Sequence, residues 1–228
     1  MKLSFELADG GSPRTLDFEA RRLVIAGWTG RDAAAIAHHI EELAALGVPA
    51  PSAVPLFYRV AINQLSQGDV VQVVGEDTSG EVEPLLFLHG GEWYVSIGSD
   101  HTDRALEAHS VALSKQICAK PVARSAWRLA DVQDRWDALV LRSWIEEGGE
   151  WRLYQEGTLA ALRPPADLLA RCAAAGGEPA EGFAMTCGTV GAIGGIRPSA
   201  RFRMELADEH TGRRIAHEYR TAVLPVVA

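Results

Sequence analysis

The sequence predicts a mainly β fold with some α, and three observations lead there. Short apolar runs recur between glycine-containing turns, most clearly in VQVVGEDTSGEVEPLLFLHGGEWYVSIGSD over residues 71–100. Helical spacing of apolar residues is confined to a few stretches, of which 31–46 and 165–177 are the clearest. No internal repeat or low-complexity tract organises the chain otherwise.

Taken in order, KLSFEL and RRLVIAG are strand-like runs joined by a Gly/Ser/Pro turn. Over residues 31–46 the period changes: Ile36, Ile40 and Leu43 recur three to four apart, and Gly47 with Pro49 stops the helix. A proline-rich linker, residues 49–55, leads to LFYRVAINQL, and residues 68–100 form a small sheet. Residues 102–147 are mixed or helical: Leu106, Val111 and Leu113, then Trp136, Leu139, Val140 and Trp144, supply an apolar face around the extended piece VARSAW. WRLYQEGTLAAL is a hairpin or strand, and the proline-started helix PADLLARCAAAGG ends at Gly176 and Gly177. The remainder, FAMTCGTVGAIGG, FRMELADEHTGRRIAHEYR and TAVLPVV, is strand again, with a turn at ADEHTGR.

Composition narrows the function classes. The chain has 228 residues and 47% apolar content, enough for one sizeable core or a main domain with a small appendage. Its 30 acidic against 22 basic residues give a net charge of -8, and no Lys/Arg block tracks a phosphate backbone, which argues against nucleic acid as a partner. Cys118, Cys172 and Cys187 are odd in number and widely spaced, the pattern of free thiols in a cytosolic protein. The start, MKLSFELADGG, lacks an apolar leader, and no stretch has the length of a membrane span. A soluble cytoplasmic protein without a membrane partner is expected.

Chemistry concentrates in a few places. Glu81, Glu83 and Asp100 lie on two neighbouring strands separated by a short turn, and alternation along a strand lets all three converge. Such a set is either a solvated acidic face or a site for one hard divalent cation, for which its oxygen ligands suit Mg²⁺, Mn²⁺ or Ca²⁺ better than zinc. His39 and Glu42 are three apart on the helix, so the pair is either a polar stripe facing water or a carboxylate-oriented general base; His38 with Glu41 or Glu42 competes for the role. Lys115, or Lys120 nearby, is a candidate to neutralise a substrate carboxylate or an enolate oxygen. The glycine-rich CGTVGAIGG is able to bring backbone N–H groups and the Thr189 hydroxyl to an anion, or to mark tight turns.

These motifs, in this order, resemble the fumarylacetoacetate hydrolase superfamily, and more closely a bacterial branch of it described only as a domain of unknown function. Gly30-Arg31-Asp32 resembles the stretch leading to the family's His-x-x-Glu lid helix, and the dyad spacing is met by His38 with Glu41 and by His39 with Glu42, the second being preferred. Pro55-Leu56-Phe57-Tyr58-Arg59 is similar to its Leu-Phe-x-Lys-Pro segment, with arginine for lysine and no following proline. Glu81-Val82-Glu83 resembles the metal-binding Glu-x-Glu. Asp100 in SDHTDR matches the third ligand, Ser114-Lys115-Gln116 the Gly-Lys-Ser segment, and Cys187-Gly188-Thr189-Val190-Gly191 the Thr-Gly-Thr-Pro-x-Gly loop without its proline.

The resemblance covers about residues 23–206, and it implies a rolled β-sheet with a short N-terminal lid helix, usually a homodimer. On it, residues 1–60 are N-terminal strands and lid packed on a main domain of residues 61–228. Mg²⁺ or Mn²⁺ on Glu81, Glu83 and Asp100 would chelate an oxo-acid. His39, Glu42 and Lys115 would be catalytic, and Arg31, Arg59, Arg104, Gly188 and Thr189 would bind substrate. The implied reaction is hydrolysis of a carbon–carbon bond in an acylpyruvate or β-diketo acid through a metal-bound enolate. The alternatives are decarboxylation, isomerisation or dehydration of 2-oxo acids, or non-catalytic binding of small acids.

Overall fold

The computed structural model describes residues 1–7, 14–45 and 50–227, the side chains of His39 and of residues 42–45 lying outside that description. Strands dominate, as predicted, and they form two main sheets. The larger has eight strands in the order Arg14–Glu19, Lys2–Leu7, Ser125–Arg128, Glu92–Ser99, Val82–His89, Phe183–Thr186, Arg22–Gly27 and Leu56–Val60. The smaller has five, in the order Glu150–Thr158, Val140–Glu147, Arg201–Asp208, Arg213–Leu224 and Val70–Val74.

The near-continuous apolar runs have a simple cause, since the large sheet is buried on both faces. From one strand, Val24 and Ala26 join the core shared with the five-stranded sheet, against Leu141, Phe202, Met204 and Ile215. Leu23 and Ile25, on the opposite side, enter a second core that draws on nearly every strand of the large sheet. That second core forms because the sheet curls into a half-barrel. Aromatic rings fill the curl: Phe87 stacks on Phe5 at 4.5 Å between centroids and meets Phe18 at 4.7 Å and Tyr94 at 5.3 Å. Each such pair adds about 0.5–1.5 kcal/mol beyond the area it buries.

The central hairpin, Val82–His89 with Glu92–Ser99, turns at Gly90 and Gly91, whose φ angles of 60° and 77° suit the two-residue turn that matches strand twist. Helices are few: α1 (Ala33–Ala45), α2 (Arg104–Glu107), α3 (Val111–Ile117) and α4 (Pro165–Ala174). None among the described residues is long and apolar enough to cross a membrane.

Two expectations need correction. Arg14–Glu19 is a strand that was not predicted, pairing antiparallel with Lys2–Leu7 and burying Leu16 and Phe18. Val140 and Trp144, read with Trp136 and Leu139 as one apolar face, belong instead to the strand Val140–Glu147, while Trp136 lies in a 3-10 turn. Sheet pairing on both sides, with Glu150–Thr158 and Arg201–Asp208, overrides the helix-like spacing.

Candidate metal centre

The acidic residues meet where the central hairpin ends. The Asp100 N–H donates to the Glu81 carbonyl at 2.9 Å, which sets these two residues opposite one another. Glu83 is two residues on and shares their face. One carboxylate oxygen from each of Glu81, Glu83 and Asp100 lies within 4.8 Å of the others. Glu83 and Asp100 are buried, and Glu81 is partly exposed.

Three cations surround this set. α3, capped by Ser110, turns Ser114 and Lys115 inward, and the Lys115 ammonium donates to Asp100 Oδ2. Lys120, on the short strand Lys120–Pro121 that pairs with Leu65–Ser66, places Nζ 3.1 Å from Asp100 Oδ1 and donates to the His101 carbonyl. Both lysines therefore reach Asp100, so the two candidates are partners at one carboxylate. Arg104 follows the N-cap Asp103 and is held 3.2 Å from Glu81, with Ser79 and Glu107 each accepting from it at 2.7 Å.

Electrostatics separates the carboxyls. Burial pushes Glu83 up to about 8, and the neighbouring charge of Asp100 adds to this. Burial would raise Asp100 as well, but the ammonium groups of Lys115 and Lys120 hold it at about 2. Lys115 stays charged because Asp100 and Glu81 outweigh its desolvation.

A dication fits these donors. Asp100 Oδ1 is a buried oxygen with the Lys120 ammonium 3.1 Å away, and it keeps a lone pair for a cation. A carboxyl like Glu83 gives up its proton readily when a cation arrives. Hard oxygen donors of this kind suit Mg²⁺, Mn²⁺ or Ca²⁺.

The loop after Phe183–Thr186 serves the same carboxylates. The Gly188 N–H donates to Glu83 Oε2 at 2.9 Å, and the Thr189 hydroxyl donates to the Val82 carbonyl at 2.6 Å. Both groups predicted to bind substrate thus hold the Glu81–Glu83 segment. Behind the site, His101 bonds Tyr219 and Thr78, both at 2.9 Å, and burial takes its pKa down to about 3. It stands as a neutral structural group.

The other predicted residues are placed as follows. Arg31 pairs with Asp137 through a bond of 2.8 Å and a second, shorter one. Arg59 is exposed and lines a surface cavity beside α4 with Pro55 and Arg171. Its neighbour Tyr58 is the residue of that strand on the Lys115 side, its ring centroid 5.7 Å from the ammonium. Tyr58 also bonds Trp28, which has the left-handed φ of 60°, a strained conformation that tends to persist at functional sites. His39 and Glu42 lie on α1, their side chains outside the described residues, and His38 is exposed. Sequence reasoning passed over Tyr58, Trp28 and Gln155, and for the aromatic pair the available signal was their position beside glycine and the linker.

The model of a family described as "Protein of unknown function (DUF2848)" matches residues 26–219. No curated relative matches the chain. Among solved structures it is similar to a candidate fumarylpyruvate hydrolase from Burkholderia cenocepacia, at 18% identity and TM-score 0.63 over 99% of this chain and 96% of that one. A 2-keto-3-deoxyarabinonate dehydratase aligns at 15% identity and TM-score 0.65, over 94% and 78% of the two chains. The yeast protein ynq8, of the fumarylacetoacetate hydrolase family, aligns at 14% identity and TM-score 0.62, over 91% and 95%. These likenesses establish the rolled fold that the motifs implied.

Proposed function

The chain belongs to the family described as "Protein of unknown function (DUF2848)", built on the fumarylacetoacetate hydrolase fold, and from this we propose that it is a divalent-metal-dependent hydrolase. Its substrate on this reading is an acylpyruvate- or β-diketo-acid-like molecule, cleaved at a carbon–carbon bond. The observation that carries the proposal is the buried convergence of Glu81, Glu83 and Asp100 beside an ammonium group.

Bound Mg²⁺ or Mn²⁺ would supply Lewis-acid polarisation of two chelating substrate oxygens. Glu81, Glu83 and Asp100 would hold it. Lys115, the cation on the Tyr58 side, would face the substrate carboxylate or the developing enolate oxygen. Lys120 and Arg104 would keep Asp100 and Glu81 in place. His39, oriented by Glu42 at helical spacing, would take a proton from water. Attack of that water on the acyl carbonyl releases a carboxylic acid. The bonding pair passes to the oxo-acid fragment as an enolate, which then takes up a proton.

If no water is activated, the same donors serve decarboxylation, isomerisation or dehydration of a 2-oxo acid. The shared fold of a sugar-acid dehydratase is the observation that keeps this second reading.

Two measurements test the proposal. Glu81→Gln, which alters the most exposed of the three ligands, is expected to weaken Mn²⁺ binding at least about 100-fold, the upper end of what even outer partners cause. Affinity equal to the parent's would sink the site. His39→Ala should lower kcat on a panel of acylpyruvates and oxaloacetate by about 10²–10⁴-fold, the usual contribution of a general base. Parent-level turnover would remove His39 from the mechanism.

A further inference from the structure

We propose that Gln155 is a positioning residue that fixes the backbone between Glu81 and Glu83 and thereby sets the affinity of the site for its cation. This rests on the metal-site reading above. Because the Glu81 carbonyl accepts from the Asp100 N–H, alternation along the hairpin turns the N–H and C=O of Val82 toward the other side of the strand. Among the described residues no strand meets them there. The neighbouring strand pairs with the hairpin only as far as Leu85, and its last backbone bond runs from the Cys187 N–H to the Pro84 carbonyl.

Gln155 fills the gap from the five-stranded sheet. A bulge shifts the register so that Ser143 faces Gln155 and Trp144 faces Leu153, which turns Tyr154 and Gln155, successive residues, both into the core. Gln155 is 1% exposed, and its side-chain amide makes four hydrogen bonds. Oε1 accepts from the Val82 N–H at 3.1 Å and from the Ser143 hydroxyl at 2.8 Å. Nε2 donates to Thr189 Oγ1 and to the Val190 carbonyl, each at 2.7 Å.

Thr189 in turn donates to the Val82 carbonyl, and its neighbour Gly188 donates to Glu83. One side-chain amide thus satisfies Val82 directly on its N–H and, through Thr189, steadies its C=O. It also pins the loop that holds Glu83. The site requires a donor and an acceptor at the same reach, and glutamine supplies both.

The experiment is a Mn²⁺ titration of the parent, Gln155→Leu, Gln155→Glu and Ser143→Ala, followed by electron paramagnetic resonance and paired with urea unfolding. Gln155→Leu should weaken binding about 10–100-fold. Gln155→Glu keeps the acceptor for Val82 but loses both donors to the loop, and should weaken it about tenfold. If Gln155→Leu does not fold, the isosteric glutamate variant carries the comparison. Ser143→Ala removes one hydroxyl, which bonds Gln155 Oε1, and keeps the Gln155 bonds to Val82, Thr189 and Val190; it should lower stability while holding Mn²⁺ affinity within about twofold of the parent, against the 10–100-fold expected of site partners. Parent affinity in the Gln155 variants, or an equal loss in Ser143→Ala, would overturn the positioning role and leave the metal site standing. A parent that binds no Mn²⁺ would overturn both.

Discussion

Asp100→Ala is expected to destabilise the fold by about 3–5 kcal/mol and to abolish Mn²⁺ binding. The carboxylate is the shared counter-ion of two ammonium groups, Lys115 on Oδ2 and Lys120 on Oδ1. Both lysines are buried, so its removal leaves Lys120 with the His101 carbonyl alone and Lys115 with the more distant charge of Glu81 against their desolvation. At about 2–4 °C per kcal/mol for a chain of this size, the melting temperature should fall by roughly 6–20 °C. Adding Lys120→Met should return part of the loss, since the second change removes one of the stranded charges. A urea midpoint within the range of an ordinary surface substitution, or no recovery in the double variant, would show that the lysines are hydrated and that Asp100 is not their anchor.

Gly188→Ala should have the next largest effect, about 2–6 kcal/mol, together with at least a tenfold loss of Mn²⁺ affinity. Gly188 has φ +90°, and a Cβ there would lie 1.8 Å from Thr29 Oγ1 and 3.0 Å from Thr29 Cβ. Thr29 cannot withdraw easily, because it is buried and its carbonyl accepts from the Arg163 N–H at 2.8 Å. The loop must move instead, and its N–H leaves Glu83. Thr29→Gly in the same chain should restore the steric part of the loss but not the cost of the left-handed backbone. Unchanged unfolding and Mn²⁺ titrations for Gly188→Ala would show that the loop tolerates displacement.

The hairpin was legible because apolar runs bounded by the Gly90-Gly91 turn are local signals, and strand geometry then brings Glu81, Glu83 and Asp100 to one face. The roles of neighbouring residues were not. Lys115 and Lys120 are five positions apart, on a helix and on a strand, and only tertiary packing brings both to Asp100. Tyr58 and Arg59 are adjacent, and the side on which each falls is decided by how their strand enters the sheet. The strand Arg14–Glu19 was missed because its only signal is the alternation of Leu16 and Phe18 in a short run that is mostly charged or polar. Gln155 looks like any polar strand residue, and its burial follows from a one-residue bulge that the sequence does not mark.

Phe183–Thr186 lies between Val82–His89 and Arg22–Gly27, so the large sheet is joined across its middle by a strand from late in the chain. During synthesis the strands Arg22–Gly27 and Leu56–Val60 emerge early, yet they join the central hairpin only through a segment made more than a hundred residues later. Such distant pairings slow folding. They also delay the delivery of Gly188 to Glu83, since that residue follows directly on the bridging strand. A nascent chain therefore carries its acidic hairpin long before the parts that shape it into a site. If the acidic pocket holds the proposed cation, a chain that ends before Gly188 should bind Mn²⁺ more weakly than the whole one.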